Sequence, residues 1–274
     1  MNKYDVKDFS LFHTLDCGQF FLYKLREDNF YEIINGPSKF IVKQEKDILY
    51  YQGISKNDLV SFFGLNEDID KLLENENDEH LLLAIEKYWG LRLMKQDLWQ
   101  TIISFVCSSA SNIPKIKMNL RLIIEKFSCD GTFPKSGSLN NLEKLKECKT
   151  GYRAKFIYSI NQAITENPNL LFEISNSDYK TSKKLLMELD GIGSKVADCI
   201  CLFALNHKEA FPIDTWVKQI IEKLYLKREA KNLKEIEEYI KSNFNKGNIG
   251  LKQQYLFHYA RLNLKSQTAT KNFE

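Results

Sequence analysis

The sequence predicts an α+β fold in which a small N-terminal antiparallel β-sheet lobe packs on a larger, all-helical body of two subdomains. Aromatic and β-branched segments separated by turn signals fill residues 18–53, whereas helical periodicity begins at Asp97 and continues almost to the C-terminus. The chain has 274 residues, of which 43% are hydrophobic, so it can bury a sizeable core. Intrinsic disorder and a disulfide-stapled miniprotein are therefore excluded.

The predicted sheet is an antiparallel meander. Its strands fall at residues 20–23, 30–34 and 40–42, with 48–51 as a continuation, and turn signals lie at 27–29, 35–38 and 45–47. The strongly acidic segment 66–79 follows. We expect this segment to be a solvated face or loop that keeps the lobe away from polyanions.

The helical body begins with a stripe of Leu98, Ile102, Phe105 and Val106, followed by a loop at 108–112 and by Pro114 in the first turn of the next helix. Further helices are predicted at about 139–147, 153–166, 179–188, 194–206, 214–226, 231–244 and 250–264, with a frayed tail after them. We divide the chain into an N-terminal antiparallel sheet domain (1–93) and two helical subdomains (94–190 and 191–274).

Charge is unevenly distributed along the chain. The formal net charge of +3 combines −6 in residues 1–93 with +9 in residues 94–274, so a nucleic-acid partner should contact the second part.

The cysteines and histidines do not form a recognisable site in the sequence. Six cysteines without a C-x-x-C pair and four scattered histidines indicate neither a zinc site nor a disulfide framework. We see no leader and no membrane span, and a composition typical of AT-rich bacterial genes, so we expect a cytoplasmic protein.

The most informative segment is a glycine hairpin between two helical stretches. Gly191 and Gly193 permit a tight turn with positive φ, and the nearby backbone N–H groups at the start of the next helix can hold a phosphate. The Rossmann fingerprint would need a third glycine at Val196, and the Walker loop would need Gly-Lys at 194–195. A helix–hairpin–helix element remains, with a plain interhelical turn as the alternative.

Two charged residues beside the hairpin are candidates for chemistry. Lys195 lies in the first turn of an apolar helix, where desolvation and the helix dipole favour the neutral, nucleophilic amine, although an ordinary lysine reaching solvent is the alternative. Asp214 precedes the apolar positions 217, 220, 221 and 224, which makes it an N-cap whose backbone hydrogen bonds should keep the carboxylate ionised. Capping alone would also explain Asp214.

These residues resemble a known family. Residues 191–199 read GIGSKVADC and residues 212–214 read PID, which is similar to the helix–hairpin–helix/Gly-Pro-Asp DNA glycosylases, specifically their 8-oxoguanine branch. The resemblance extends to residues 17–20, 103–109 and 151–155 and to Gln253 and Phe257. The sister branch with a four-cysteine iron–sulfur cluster is excluded because no cysteine follows Cys201.

The resemblance implies a mechanism on double-stranded DNA containing 8-oxoguanine. Lys195 would attack C1′ and form a Schiff base through which the strand is cleaved, and Asp214 would stabilise the sugar cation and assist proton transfers. Tyr152 and Arg153 would wedge into the gap left by the flipped nucleotide. The resemblance implies no metal or organic cofactor for catalysis, with the hairpin carbonyls as candidate ligands of a structural cation, and it implies a monomer.

The resemblance also implies a base pocket. The carbonyl of Gly18 would accept a hydrogen bond from N7–H of the lesion, Phe257 and Cys199 would stack on its two faces, and Gln253 would read its Watson–Crick edge. Core packing is the alternative for Phe257, and a solvated helix position is the alternative for Gln253. The hairpin glycines, Asn112 and Lys115 complete the expected DNA contacts.

Two departures from the family bear on specificity. Ala110 and Lys115 stand where members that demand cytosine opposite the lesion carry asparagine and arginine, so we expect a relaxed opposite-base preference. Trp216 replaces a histidine that the family often has, and it cannot bond a phosphate as well. Two rival functions stay open: the same scaffold acting on another lesion, such as an alkylated or mismatched base, and a non-catalytic DNA-binding module.

Overall fold

The computed structural model describes residues 1–72, 76–244 and 247–269. It contains one antiparallel five-stranded sheet in the order β1-β5-β4-β3-β2. The strands are β1 (Asn2–Asp5), β2 (Tyr23–Leu25), β3 (Tyr31–Asn35), β4 (Ser38–Glu45) and β5 (Ile48–Gln52). The predicted meander is therefore confirmed for its last three strands.

The remaining regular structure of the described chain is helical, which confirms the predicted α+β class. They are α1 (Leu11–Asp16), α2 (Lys56–Phe63), α3 (Ile69–Leu72), α4 (Glu79–Lys87), α5 (Leu98–Ser108), α6 (Ile113–Phe127), α7 (Leu142–Glu147), α8 (Arg153–Glu166), α9 (Leu170–Asn176), α10 (Tyr179–Met187), α11 (Ser194–Phe203), α12 (Thr215–Ile220), α13 (Leu233–Asn243) and α14 (Ile249–Ala269). A π-helical turn, Ile221–Leu226, continues α12. Within the described ranges, no helix combines the length and apolarity that crossing a membrane requires.

One strand prediction was wrong, and one strand was missed. The segment 20–22 is not a strand, because its apolar side chains are buried in the core as the chain passes from the body to the sheet; only Tyr23 belongs to β2. Strand β1 was not predicted, since it is polar and mostly exposed and pairs with β5 only at the sheet edge. An edge strand of this kind lacks the alternating apolar pattern on which sequence prediction depends.

The turn between β3 and β4 fastens the sheet to the helical body. Gly36 has a φ of +57°, and its N–H donates to Oε1 of Gln100 at 2.8 Å. The N–H of Asp97, the N-cap of α5, donates to Oδ1 of Asn35 at 2.8 Å. A side chain on Gly36 would overlap Asp97, with a Cβ only 2.6 Å from its Cγ. Glycine at this turn therefore permits the sheet to contact the start of α5 directly.

The acidic segment is not simply a solvated loop, as the sequence had suggested. Among its described residues, Ile69 is buried, and two carboxylates pair with lysines of the helical body. Glu76 lies 2.5 Å from Nζ of Lys252 on α14, and Glu67 lies 2.7 Å from Nζ of Lys208. Some of the acidic residues of the N-terminal lobe thus form ion pairs with basic residues of the helical body.

Candidate active site

A cleft of about 1090 Å³ opens where the N-terminal lobe, α5, the hairpin and α14 meet. Ten of the thirteen predicted site residues line it: Gly18, Asn112, Gly191, Gly193, Lys195, Cys199, Asp214, Trp216, Gln253 and Phe257. Tyr152, Arg153 and Lys115 are not among the lining residues. The structure therefore gathers the two candidate catalytic residues and the predicted base pocket around a single cavity.

The hairpin joins α10 to α11 and depends on its first glycine. Gly191 has a φ of +80°, and a Cβ there would lie 2.5 Å from Cγ of Phe156. Gly193 was expected to share the positive φ, but it adopts φ −88° as the N-cap of α11. Apart from its two neighbours in the chain, no residue has an atom within 4 Å of a Cβ built on Gly193, so its backbone is open to the approach of a ligand. The missing side chain also leaves the first N–H groups of α11 without a side-chain cap.

Lys195 extends from the first turn of α11 and is half-buried. Its Nζ lies 5.6 Å from the centre of the Phe105 ring, so the amine has an aromatic wall on one side. Cys199, one helical turn further on, is buried, and burial raises the pKa of its thiol to about 11 despite the opposing effect of Lys195. The thiol is thus neutral and offers Lys195 a polarisable neighbour that does not compete as a nucleophile.

Asp214 is the predicted N-cap of α12. Its Oδ1 accepts from the backbone N–H of Trp216 at 3.0 Å and of Val217 at 2.8 Å. Burial nevertheless raises the pKa of Asp214 above its ordinary value, and the two hydrogen bonds and nearby Lys195 only partly oppose this. The net direction is opposite to the one that capping alone predicts. A carboxylate with a raised pKa is a better proton acceptor than an ordinary aspartate, which suits acid–base chemistry.

The far wall of the cleft comes from α14. Gln253 is 3% exposed; its Nε2 donates to the carbonyl of Pro212 at 3.1 Å, while its Oε1 has no hydrogen-bond partner among the described residues. This orientation leaves the buried Oε1 as an unpaired acceptor on a residue that lines the cleft. Phe257, one turn later, is partly buried and stands against Gly18. Gln253 is therefore not the solvated helix residue that the alternative reading proposed.

The loop before α6 is held by Arg153. Its Nε donates to the carbonyl of Ser109 at 2.8 Å, its Nη2 to the carbonyls of Ser109 and of Ala110, and the side chain is only 7% exposed overall. The guanidinium is thus engaged by the loop, and the wedge role expected of Arg153 stays a prediction. Tyr152, in contrast, is 54% exposed, with Arg153 stacked against its ring at 4.6 Å.

This loop and the first turn of α6 contain the residues for which opposite-base and DNA contacts are predicted. Ala110 has a φ of +46°, a conformation that asparagine tolerates better than alanine does. Oδ1 of Asn112 accepts from the backbone N–H of Lys115 at 3.0 Å and so caps α6. Asn112 therefore serves its own helix, although it still lines the cleft.

Sequence reasoning missed several residues at the cleft. Phe105 was assigned only to the core stripe of α5, and Gln254 and Arg261 of α14 were not singled out. Gln254 is 1% exposed and follows Gln253 directly. The available signal was two adjacent glutamines followed two helical turns later by an arginine, on a helix that is apolar over 255–257.

Comparisons with known proteins agree with this geometry. Residues 2–102 match the family described as 8-oxoguanine DNA glycosylase, N-terminal domain. A probable N-glycosylase/DNA lyase from Methanothermobacter thermautotrophicus is 28% identical over 229 residues, which cover 73% of this chain and 72% of that protein. The chain is thus related in sequence to glycosylases along most of its length.

Two solved structures share the whole fold. The structure of MBOgg1 in complex with a low-affinity DNA ligand has a TM-score of 0.87 and 31% identity, covering 94% of both chains. The Clostridium acetobutylicum 8-oxoguanine glycosylase/lyase, bound to double-stranded DNA containing cytosine opposite 8-oxoG, has a TM-score of 0.86 and 28% identity, covering 96% of this chain and 99% of that one. The similarity therefore includes the sheet lobe, the hairpin and α14 together.

Proposed function

Because the chain belongs to the 8-oxoguanine DNA glycosylase/lyase family of helix–hairpin–helix enzymes, we propose that it excises 8-oxoguanine from duplex DNA through a Schiff base on Lys195. One observation carries this proposal: Lys195 and Asp214 line the same cleft as Gln253, Phe257 and the backbone of Gly18. An amine, a carboxylate and a pocket of base-recognition groups then face one flipped nucleotide.

The chemistry follows from the amine and the carboxylate. As the bond between C1′ and N9 breaks, the base leaves with the electron pair and takes up a proton, while Nζ of Lys195 forms a bond to C1′. Ring opening then gives a Schiff base, and loss of a proton from C2′ expels the 3′ phosphate by β-elimination. Asp214 stabilises the positive charge that develops on the sugar and moves protons. The route uses only groups of the chain, and the hairpin carbonyls remain candidate ligands for a structural cation.

The pocket accounts for selection of an oxidised guanine. Guanine-type bases present N–H donors on their Watson–Crick edge, and the unpaired Oε1 of Gln253 is an acceptor for them. The lesion differs from guanine in having a hydrogen on N7, for which the carbonyl of Gly18 is the proposed acceptor. Phe257 and Cys199 provide apolar faces against which the flat base can stack.

Exposed Tyr152 is proposed to enter the gap that the flipped nucleotide leaves, and the guanidinium of Arg153 packs against its ring.

The preference for the base opposite the lesion is proposed to be relaxed. Ala110 has no polar side-chain atom, and Lys115 presents a point charge instead of the planar fork that reads a base edge bidentately. Double-stranded DNA is the partner, and we expect a monomer that acts at the bacterial nucleoid.

Borohydride trapping on a duplex containing 8-oxoguanine tests the proposal. Wild-type protein should form a covalent adduct, and Lys195→Gln should not. Lys218→Gln is a matched control, because Lys218 also lines the cleft but lies 3.7 Å from Glu222 in an ion pair. Its adduct should persist. If wild-type protein forms no adduct, or if Lys195→Gln still forms one, the assigned chemistry is wrong.

A further inference from the structure

Three backbone carbonyls flanking Gly18, two before it and one after it, accept hydrogen bonds from side chains elsewhere in the fold. The carbonyl of Asp16 accepts from Nη2 of Arg261, and that of Cys17 accepts from Nε2 of Gln254 at 2.6 Å. The carbonyl of Gln19 accepts from Nε2 of Gln96 at 2.7 Å. Each carbonyl on either side of Gly18 is thus occupied by a donor that the surrounding structure holds in place.

The carbonyl of Gly18 is the exception in this run. No hydrogen bond to it occurs within residues 1–72, 76–244 and 247–269, and Gly18 lines the cleft. Its φ of +80° differs from the extended conformation of ordinary residues and turns the peptide relative to its neighbours. Saturating the flanking carbonyls leaves one acceptor unoccupied at this edge of the cavity.

Two of the three donors come from α14, the helix that also carries Gln253 and Phe257. Gln254 is 1% exposed, so its amide is fixed by packing, and Arg261 also contacts Oδ2 of Asp16 at 2.8 Å. One rigid element therefore sets both the stacking face of the pocket and the position of the acceptor opposite it. A hydrogen bond that distinguishes two bases is sensitive to displacements of a few tenths of an ångström.

We propose that Gln254 and Arg261 are positioning residues for lesion recognition: they hold the carbonyls of Cys17 and Asp16 so that the carbonyl of Gly18 can accept from N7–H of 8-oxoguanine. This inference rests on the proposed function of the cleft. It assigns to α14 a role beyond contact with the base itself. It also separates two activities, because cleavage at an abasic site involves no base and so needs no acceptor at Gly18.

The alternative is that these hydrogen bonds only tie the N-terminal lobe to α14. The pair between Lys252 and Glu76 supplies a matched control, since it joins the same helix to the same lobe and is also largely buried. Lys252→Met removes that tie without touching residues 16–19. A purely structural role for Gln254 predicts the same activity changes for its variants as for Lys252→Met.

The test compares single-turnover excision of 8-oxoguanine with cleavage of an abasic-site duplex for wild-type protein, Gln254→Leu, Gln254→Glu, Arg261→Met and Lys252→Met. Gln254→Glu preserves the side-chain size but turns the donor into an acceptor that faces the Cys17 carbonyl. We expect the Gln254 and Arg261 variants to lose excision by about fivefold or more, with abasic-site cleavage within about twofold of wild type. Lys252→Met should keep the wild-type ratio of the two activities.

Hydrogen exchange supplies a second readout that is independent of activity. The peptide covering residues 14–22 should exchange faster in Gln254→Glu than in wild type, and it should be unchanged in Lys252→Met. Equal loss of both activities in the Gln254 variants, or full excision by Gln254→Glu, overturns the positioning role while leaving the proposed function intact. Wild-type protein that cleaves abasic DNA but leaves 8-oxoguanine untouched overturns the proposed substrate, and this inference with it.

Discussion

The ring of Phe257 stands directly against the backbone of Gly18: a Cβ built on Gly18 would lie 3.0 Å from Cε1 and 3.3 Å from Cζ of that ring. The contact joins the N-terminal lobe to α14 across the cleft. Any side chain at position 18 must either push the ring away or move the loop. The spacing between the proposed stacking face and the proposed N7 acceptor is therefore set by the absence of a side chain at one residue.

Gly18→Ala should consequently impair lesion excision more than it impairs folding. The φ of +80° strains an alanine, and the added methyl displaces Phe257, so we expect a loss of about 1–2 kcal/mol in the free energy of unfolding. Excision of 8-oxoguanine should fall at least about tenfold. Urea unfolding and single-turnover assays measure the two effects, and unchanged excision would contradict the placement of the base beside Gly18.

Much of the site could be predicted because its chemistry is local in sequence. Gly191, Lys195 and Cys199 lie within one hairpin and one helix, and Asp214 follows a short loop later. The residues that sequence reasoning missed depend on contacts between distant segments. Gln254, for example, donates to the carbonyl of Cys17, which lies 237 positions earlier in the sequence. Burial by distant segments leaves no pattern in the local sequence. For the same reason, the cap position alone predicted the wrong direction for the pKa shift of Asp214.

Asp214→Asn should raise the thermal stability of the protein while lowering its activity. Burial raises the folded-state pKa of Asp214, so its contribution to stability is present below the unfolded pKa and is lost as the pH rises through the folded value. The charged side chain thus costs stability at neutral pH. Asparagine retains an acceptor for the N–H groups of Trp216 and Val217 and carries no charge, so the Tm at pH 7.5 should rise.

Activity of Asp214→Asn should fall about a hundredfold or more, because the carboxylate that accepts protons and faces the sugar cation is gone. A calorimetric scan and an excision assay on the same preparation measure both effects. Glu209→Gln, the same carboxylate-to-amide change at an exposed residue that does not line the cleft, is the control and should leave activity near wild type. A lower Tm in Asp214→Asn would show that the carboxylate is a stabilising cap, contrary to the sign argued here.

Opposite-base preference should be open to engineering in the loop before α6 and in the first turn of that helix. Ala110→Asn places an amide at a φ of +46°, which asparagine accepts readily, and Lys115→Arg restores a planar donor fork. The double variant should gain a preference for cytosine over adenine opposite the lesion of about tenfold relative to wild type. Excision rates on the four opposite-base duplexes measure it, and strong cytosine selectivity in wild type would refute the relaxed preference.

DNA binding should depend on charge in the helical body and not in the sheet lobe. Lys115→Glu should weaken binding to a duplex strongly and reduce the slope of log K against log salt by about one or more. Lys39→Glu, an equal charge reversal on β4, should have little effect, because that lysine faces Glu32 at 3.4 Å on the acidic lobe. Fluorescence anisotropy between low and moderate salt measures both, and equal losses would show that the sheet lobe also meets phosphates.

His258 should make the protein sensitive to acid. It is fully buried on α14, packed against Tyr88 and His13, with its Nδ1 at 3.3 Å from Nη2 of Arg261. Burial, and then the charges of Arg261 and His13, lower its pKa to about 3, although Asp16 opposes this. The ring is therefore neutral in the folded protein.

An unfolded histidine takes up a proton near pH 6.5, so the stability contributed by neutral His258 is present above that pH and is lost as the pH falls toward the folded pKa. This group alone should steepen the loss by as much as about 1.4 kcal/mol per pH unit. His258→Gln should be less stable at pH 7.5 through lost packing, yet its free energy of unfolding should decline less between pH 6.5 and 5 than that of wild type. Denaturant titrations at four pH values measure the slopes, and parallel slopes would place the acid sensitivity in other groups, His13 first among them, since burial lowers its pKa too.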